Sequence, residues 1–260
     1  VLVGGTNGKG SVTVLLSAAL REAGYRVGES TKPHLVDYRE CLVVDGCMVS
    51  ETTFASLLER TLSVARRVAP GVGESTEFEL LTAAMFTHFA EAAVDLALVE
   101  VGLGGRLDAT NAWDGGVAAI TNVALDHTDR LGSTVCAIAA EKAPIIKRAD
   151  LAVTGASGEA LAVIRRHARL VGASLVEAVP AWLLGMDRDG ITVELPGLGP
   201  TWVGLRGRHQ AANVAVANEI LDALEIAGMA SVSREHRRRG LARTAGTVRD
   251  WRAGRTAHAA

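Results

Sequence analysis

The chain opens VLVGGTNGKGSVT, which places Gly4, Gly5, Gly8, Lys9, Gly10 and Ser11 within one short stretch. The order departs from the phosphate-loop pattern G-x-x-x-x-G-K-[ST], because Gly10 separates Lys9 from Ser11. The chemistry of such a loop is retained all the same. Glycines allow a tight turn whose backbone N–H groups converge on one anion. Val1, Leu2 and Val3 suit a buried parallel strand, and Val12, Leu15, Leu16, Ala19 and Leu20 recur at helical spacing. A strand, a glycine turn and a helix N-terminus make an anion site, with Lys9 as the point charge and Ser11 as a hydroxyl for magnesium. A turn that only joins strand to helix would also be glycine-rich; the presence of both Lys9 and Ser11 favours the phosphate site.

Other polar residues fall at predicted strand ends. Glu100 closes the apolar run LALVE before Gly102, Gly104 and Gly105, and Asp126-His127-Thr128 follows the strand AAITNV. Ligands of open parallel sheets bind beyond the carboxyl ends of the strands, so Glu100 and His127 are candidate magnesium or phosphate neighbours. A partly exposed strand-end carboxylate and a structural histidine are the competing readings. Lys142 sits late in an apolar helix beside Glu141, and pattern alone makes it a solvated lysine.

The elements that would position these groups alternate. Strands are expected at residues 25–31, 96–101, 116–123, 151–154 and 175–179. Helices are expected over 52–69, 77–93, 133–146 with an interruption at Pro144, a run ending at Leu170, and 210–226. A hairpin-like stretch lies at 41–49, Pro70-Gly71-Val72-Gly73 reads as a loop, and glycine-punctuated short strands make a β-rich excursion at 182–206. The βαβα order predicts an α/β fold with a parallel sheet flanked by helices.

Composition agrees with a globular chain: 260 residues, 48% apolar and 22% charged, with a net charge of −2. That balance argues against recruitment to nucleic acid or to an anionic membrane. The basic cluster His236-Arg237-Arg238-Arg239 reads as a solvated helix face or tail. Cys41, Cys47 and Cys136 lack metal-ligand spacing and suit a reducing cytoplasm. Without an apolar run of ~18 residues no membrane span is expected. Because Val1 already lies within a strand, the sequence reads as part of a longer protein.

GGTNGKGSV (4–12), PHL (33–35), TEFELLTA (76–83), VEVGLGGRLDATN (99–111), ITNVALDHTDRLGST (120–134), EKAPIIK (141–147) and GRHQAANVAVA (207–217) occur in this order. The series resembles folylpolyglutamate and dihydrofolate synthases of the Mur ligase family. The resemblance implies a P-loop-type central ATPase domain over residues 1–228, with residues 229–260 a tail or linker remnant and the family's C-terminal glutamate-binding domain absent. It also implies a cytoplasmic ligase, monomeric in its full-length form. Such an enzyme joins L-glutamate to dihydropteroate or folate through an acyl phosphate, in folate biosynthesis and one-carbon metabolism. By matching motifs, Gly5, Thr6, Asn7, Gly8, Lys9, Gly10 and Ser11 would hold ATP, with Gln210 and Asn213 assisting. Ser11, Glu100 and His127 would ligate magnesium, and Thr76, Phe78, Asp108 and Ala109 would seat the pterin end of the acceptor. Lys9, His127 and Lys142 would be catalytic, Lys142 being the lysine that the family carbamylates.

Two departures bear on function. Thr31-Lys32-Pro33-His34-Leu35 stands where the family reads T-S-P-H-L, so a cation replaces a serine linked to magnesium. A like charge there costs about 4 kcal/mol at a few ångströms, unless Lys32 points away and Thr31 or water supplies the oxygen. Pro144 stands where the family has a glycine. DWRAGR near the end resembles the linker to the C-terminal domain. The alternative function is therefore a nucleotide-binding fragment without ligase turnover; a peptidoglycan-branch ligase would share the loop but not GLGGRLDATN.

Overall fold

A computed structural model describes residues 1–34 and 36–252, with side chains through residue 244; Leu35 of the PHL motif and the end of DWRAGR lie outside the described residues. β1 (Leu2–Gly4) leads into α1 (Lys9–Glu22), and β2 (Val27–Ser30) follows. β3 (Val43–Val44) and β4 (Cys47–Met48) form a hairpin that turns at Asp45 and Gly46, both at positive φ. Two helices come next, α2 (Glu51–Val72) and α3 (Glu77–Glu91), before β5 (Leu96–Glu100) and β6 (Val117–Ile120). The chain continues through α4 (Thr128–Leu131), α5 (Val135–Lys142), β7 (Leu151–Thr154), α6 (Gly158–Val171) and β8 (Ser174–Glu177). Strands β9 (Trp182–Met186), β10 (Ile191–Leu195) and β11 (Gly199–Val203) precede α7 (Gln210–Ile226) and α8 (Arg234–Arg252).

Eight strands form one sheet in the order β4-β3-β2-β5-β1-β6-β7-β8, parallel except at the β2–β3–β4 hairpin edge. β1 is central: Leu2 faces Val99 of β5 on one side and Ala118 of β6 on the other. Burial on both faces requires unbroken apolar strands, and alternate residues supply two cores. Val1, Val3, Leu98 and Ala119 pack under α1, α7 and α8, while Leu2, Val99, Ala118 and Ile120 pack under α2, α3, α5 and α6. β9, β10 and β11 make the separate antiparallel sheet expected of the glycine-rich excursion, and Ile191, Val193, Leu195 and Val203 bury its inner face in the first core.

Two readings from sequence are corrected. The segment Pro70-Gly71-Val72 is the last turn of α2, not loop, and Gly73 caps it at φ 93°. The Gly73 N–H donates to the Ala69 carbonyl at 2.8 Å, so the ladder resumes after the one donor that proline lacks. The second concerns Arg237, whose helix α8 (Arg234–Arg252) lies along α1. Arg237, expected on a solvated face, is buried, donating to Asn218 Oδ1 at 3.0 Å and the Val232 carbonyl at 3.1 Å and pairing with Asp222 at 2.6 Å. Arg243 and Arg239 both pair with Glu22 of α1. The two helices touch backbone to backbone where Gly240 crosses Ala19, and a Cβ there would stand 2.5 Å from Ala19 Cα.

That contact sets the sign of one substitution. Helix propensity alone would make Gly240→Ala stabilising by about 1 kcal/mol, whereas overpacking against Ala19 costs about 1–3 kcal/mol. Urea denaturation is expected to show net destabilisation; a gain in stability would mean that α8 does not seat on α1.

Candidate functional site

The glycine loop leaves the central strand and is fixed from the β6 side. The Thr6 N–H donates to the Asn122 carbonyl at 3.0 Å, and the Asn7 N–H to Asn122 Oδ1 at 3.0 Å. In return, Asn122 Nδ2 and Thr121 Oγ1 donate to the Asn7 carbonyl at 2.9 and 2.6 Å. Gly5 (φ 139°) and Gly8 (φ 84°) hold conformations that favour glycine, and neither has room for a Cβ: Thr121 Oγ1 would lie 2.0 Å from the first and Asn213 Oδ1 2.2 Å from the second. Gly8 caps α1 without a side-chain bond, leaving the first N–H groups of α1 without a side-chain acceptor there.

Lysine charge gathers under this loop. Lys9 Nζ donates to the Gly5 and Thr6 carbonyls, each at 3.2 Å, and stands 3.8 Å from Glu100 Oε1. Lys142 Nζ donates to the same Gly5 carbonyl at 3.1 Å. It is not the solvated lysine that pattern alone suggested: its residue is 4% exposed. Desolvation, with a smaller contribution from the Lys9 charge, lowers its pKa from 10.5 to about 8. On the other side, Gln210 Nε2 donates to Ser11 Oγ at 3.3 Å, and Asn213 Nδ2 donates to Gln210 Oε1 at 2.8 Å. Gln210 and Asn213 thus reach the loop from the first turn of α7, although they lie some two hundred positions away in sequence.

Beside the loop opens a cavity of about 520 Å³. Lys9, Lys32, Phe78, Glu100 and His127 line it, as do Ser30, Cys41 and Thr82, which the sequence reading passed over. Glu100 is 3% exposed, accepts the Lys32 backbone N–H at 2.9 Å, and has its carboxyl pKa raised by desolvation. Lys32 does not point away. Its ammonium lies 3.9 Å from the Phe78 ring centroid, and burial pushes its pKa down against the pull of Asp108, Cys41 and Glu100. His127 sits at the exposed rim in a left-handed conformation (φ 46°), its Nε2 3.7 Å from Asp126 Oδ2.

The remaining expected acceptor residues are placed less directly. Thr76 closes a capping box with Glu79 at the start of α3, its hydroxyl bonded within that box, and is not part of the cavity wall. Asp108 accepts the Leu103 N–H at 2.9 Å and the Thr110 N–H at 3.0 Å, shaping the turn that begins at Ala109. A Cβ on Gly102 would meet both Phe78 and Asp108, so these two flank one narrow backbone passage. Thr121, Asn122, Ser30 and Thr82 were missed as site residues. The first two stand inside the ITNVALDHTDRLGST motif and Thr82 inside TEFELLTA, whereas nothing in local sequence marks Ser30.

No protein-family model matches the chain. A dihydrofolate synthase/folylpolyglutamate synthase of Bacillus subtilis is 35% identical over 257 residues, covering 94% of this chain and 59% of its own length. The chain belongs to the folylpolyglutamate synthase/dihydrofolate synthase family. A probable bifunctional folylpolyglutamate synthase/dihydropteroate synthase of Halobacterium salinarum is 39% identical over 226 residues, 84% of this chain and 28% of that protein. Among solved structures, the FPGS-AMPPCP-folate complex superposes with a TM-score of 0.86 at 29% identity, over 94% of this chain and 62% of that one. This family member therefore spans between about a quarter and three-fifths of the relatives named here. No helix among its described residues is long and apolar enough to cross a membrane.

Lys142 gives the fold a pH signature. Between about 8 and 10.5 the unfolded chain holds a proton that the folded chain has released, so this lysine makes stability rise with pH across that window. Below about 8 both states are protonated and its contribution is constant. Urea denaturation of Lys142→Met is expected to lack that part of the rise; an unchanged profile would mean that Lys142 titrates as a solvated lysine.

Proposed function

We propose that the chain carries the nucleotide- and acceptor-binding part of an ATP-dependent ligase that joins L-glutamate to dihydropteroate or a folate. The observation that carries this reading is the glycine loop at the end of β1, with Lys9, Ser11 and Lys142 around it and a cavity beside it. The complex of a related FPGS with AMPPCP and folate supports the same pair of ligands.

In this reading the N–H groups from Gly8 to Ser11, at the α1 N-terminus, receive the ATP phosphates, the Thr6 and Asn7 N–H groups being held by Asn122, and Lys9 supplies the compact positive charge. Gln210 holds the Ser11 hydroxyl, and Asn213 holds Gln210 while packing close against Gly8. Phe78 offers an aromatic face to a flat acceptor ring, and Asp108 fixes the backbone turn next to it. A carboxylate oxygen of the acceptor attacks the γ-phosphorus, the bond from that phosphorus to the bridging oxygen breaks, and ADP leaves. The glutamate amine then attacks the acyl carbon, phosphate departs with the C–O electron pair, and the amine gives up a proton. Phosphate is a far better leaving group than oxide, and the protein contributes mainly positioning and charge stabilisation.

A magnesium ion fits the donors around Glu100. A carboxylate that is nearly fully buried, with its nearest ammonium 3.8 Å away, lacks a tight counter-charge. Ser11 and the rim residue His127 would complete its protein contacts. Among the described residues no cluster of three His, Cys, Asp or Glu side chains is present. When bound, magnesium would neutralise phosphate charge. Lys142, with its pKa lowered to about 8, holds a larger neutral fraction than an ordinary lysine. That is the form able to add to carbon dioxide, forming an N–C bond and losing a proton to give a carbamate.

ADP release in the presence of ATP and magnesium is expected to require dihydropteroate and glutamate together. Release that ignores the acceptor would sink the ligase reading, and AMPPCP binding without release would favour a nucleotide-binding piece. In calorimetry Lys9→Ala is expected to weaken AMPPCP binding by about ten- to a hundredfold, the effect of one charged hydrogen bond; undiminished affinity would exclude the loop as the phosphate site.

A further inference from the structure

Buried polar atoms without partners are rare in folded proteins, and several in one place call for a ligand. Among the described residues six buried side-chain atoms have no hydrogen-bond partner, and three of them belong to residues lining the same cavity: Ser30 Oγ, Lys32 Nζ and Thr82 Oγ1. Ser30 is 0% and Thr82 4% exposed. They come from separate elements, the end of β2, the segment after it and the middle of α3, so no local turn explains the coincidence.

Lys32 determines what the ligand must offer. An ammonium has three donors and no acceptor, so it can meet only an electron-rich oxygen or an aromatic face. Phe78 supplies the face, 3.9 Å from the ring centroid, and leaves the donors unused. The nearby Glu100 carboxylate takes the Lys32 backbone N–H rather than the ammonium. Hydroxyls such as those of Ser30 and Thr82 donate to the same kind of oxygen, whereas Lys32 bars a metal cation from that spot.

We propose that Lys32, with the hydroxyls of Ser30 and Thr82, forms a receptor for an anionic oxygen of the molecule that fills the cavity, a carboxylate or phosphoryl oxygen. The inference rests on the ligase reading only for the identity of that molecule. It makes Lys32, which stands where the family pattern has a serine, a binding residue, where the resemblance alone suggested an impaired site.

Calorimetry with pteroate, its uncharged methyl ester and AMPPCP, on the wild-type chain and Lys32→Met, tests the proposal. Weakening of pteroate by about tenfold or more, with ester and AMPPCP unaffected, assigns the oxygen to the acceptor carboxylate. Weakening of AMPPCP alone assigns it to the nucleotide phosphate. Thr82→Val, which removes only a hydroxyl, is expected to weaken the same probe by about two- to tenfold. It also guards against a folding defect in Lys32→Met, with thermal melting of both variants as the control. If all three probes bind the variants as they bind the wild type, the receptor is overturned and the ligase reading survives. A wild-type chain that binds neither pteroate nor AMPPCP overturns both.

Discussion

Glu100 ends the strand next to the central one as a carboxylate almost without water, and the arrangement of the site follows from the need to balance that charge. The balance is partial: the Lys9 ammonium at 3.8 Å, the Lys32 backbone N–H at 2.9 Å, and the more distant charge of the Lys32 ammonium. A buried carboxylate served this loosely favours any further cation, while desolvation pulls it toward protonation. Lys9 therefore sits between two anionic demands, the strand-end carboxylate and whatever binds the loop. Its bonds to the Gly5 and Thr6 carbonyls hold it there.

Close approach is the second constraint. The loop passes so near Thr121 and Asn213 that glycine alone fits at positions 5 and 8. It can therefore be laid down only between β6 and α7, which places Lys142, behind it, against the Gly5 carbonyl. Two ammoniums sharing one carbonyl repel, and burial adds to the cost. Such sites cost stability and concentrate where binding or chemistry occurs.

Much of the fold was legible because its signals are local. The alternation of apolar strands and amphipathic helices marked the parallel sheet, and glycine spacing marked both the loop and the antiparallel excursion. The errors also have local causes. Pro70 and Gly71 read as a break, yet an exposed last helical turn tolerates one missing donor. Arg237 read as solvated because neither Asn218 nor Asp222 can be seen beside it in sequence. For the site, motifs named Lys9, Glu100, Phe78 and His127, which line one cavity. They did not show that Lys32 turns inward, nor that Ser30 and Thr82 join it, because an unmet hydrogen bond is a property of three-dimensional burial alone.

The seating of α8 on α1 has a consequence for the chain during its synthesis. Glu22 meets Arg243, 221 positions later, and Ala19 meets Gly240. At roughly 5–20 residues per second, the apolar flank of the phosphate-loop helix would wait about ten to forty seconds on the ribosome for its cover. Contacts so distant in sequence also slow folding once the chain is released. Over that interval the nascent protein presents the back of its own nucleotide site as a sticky surface, and a chaperone that shields apolar helices would find its substrate there.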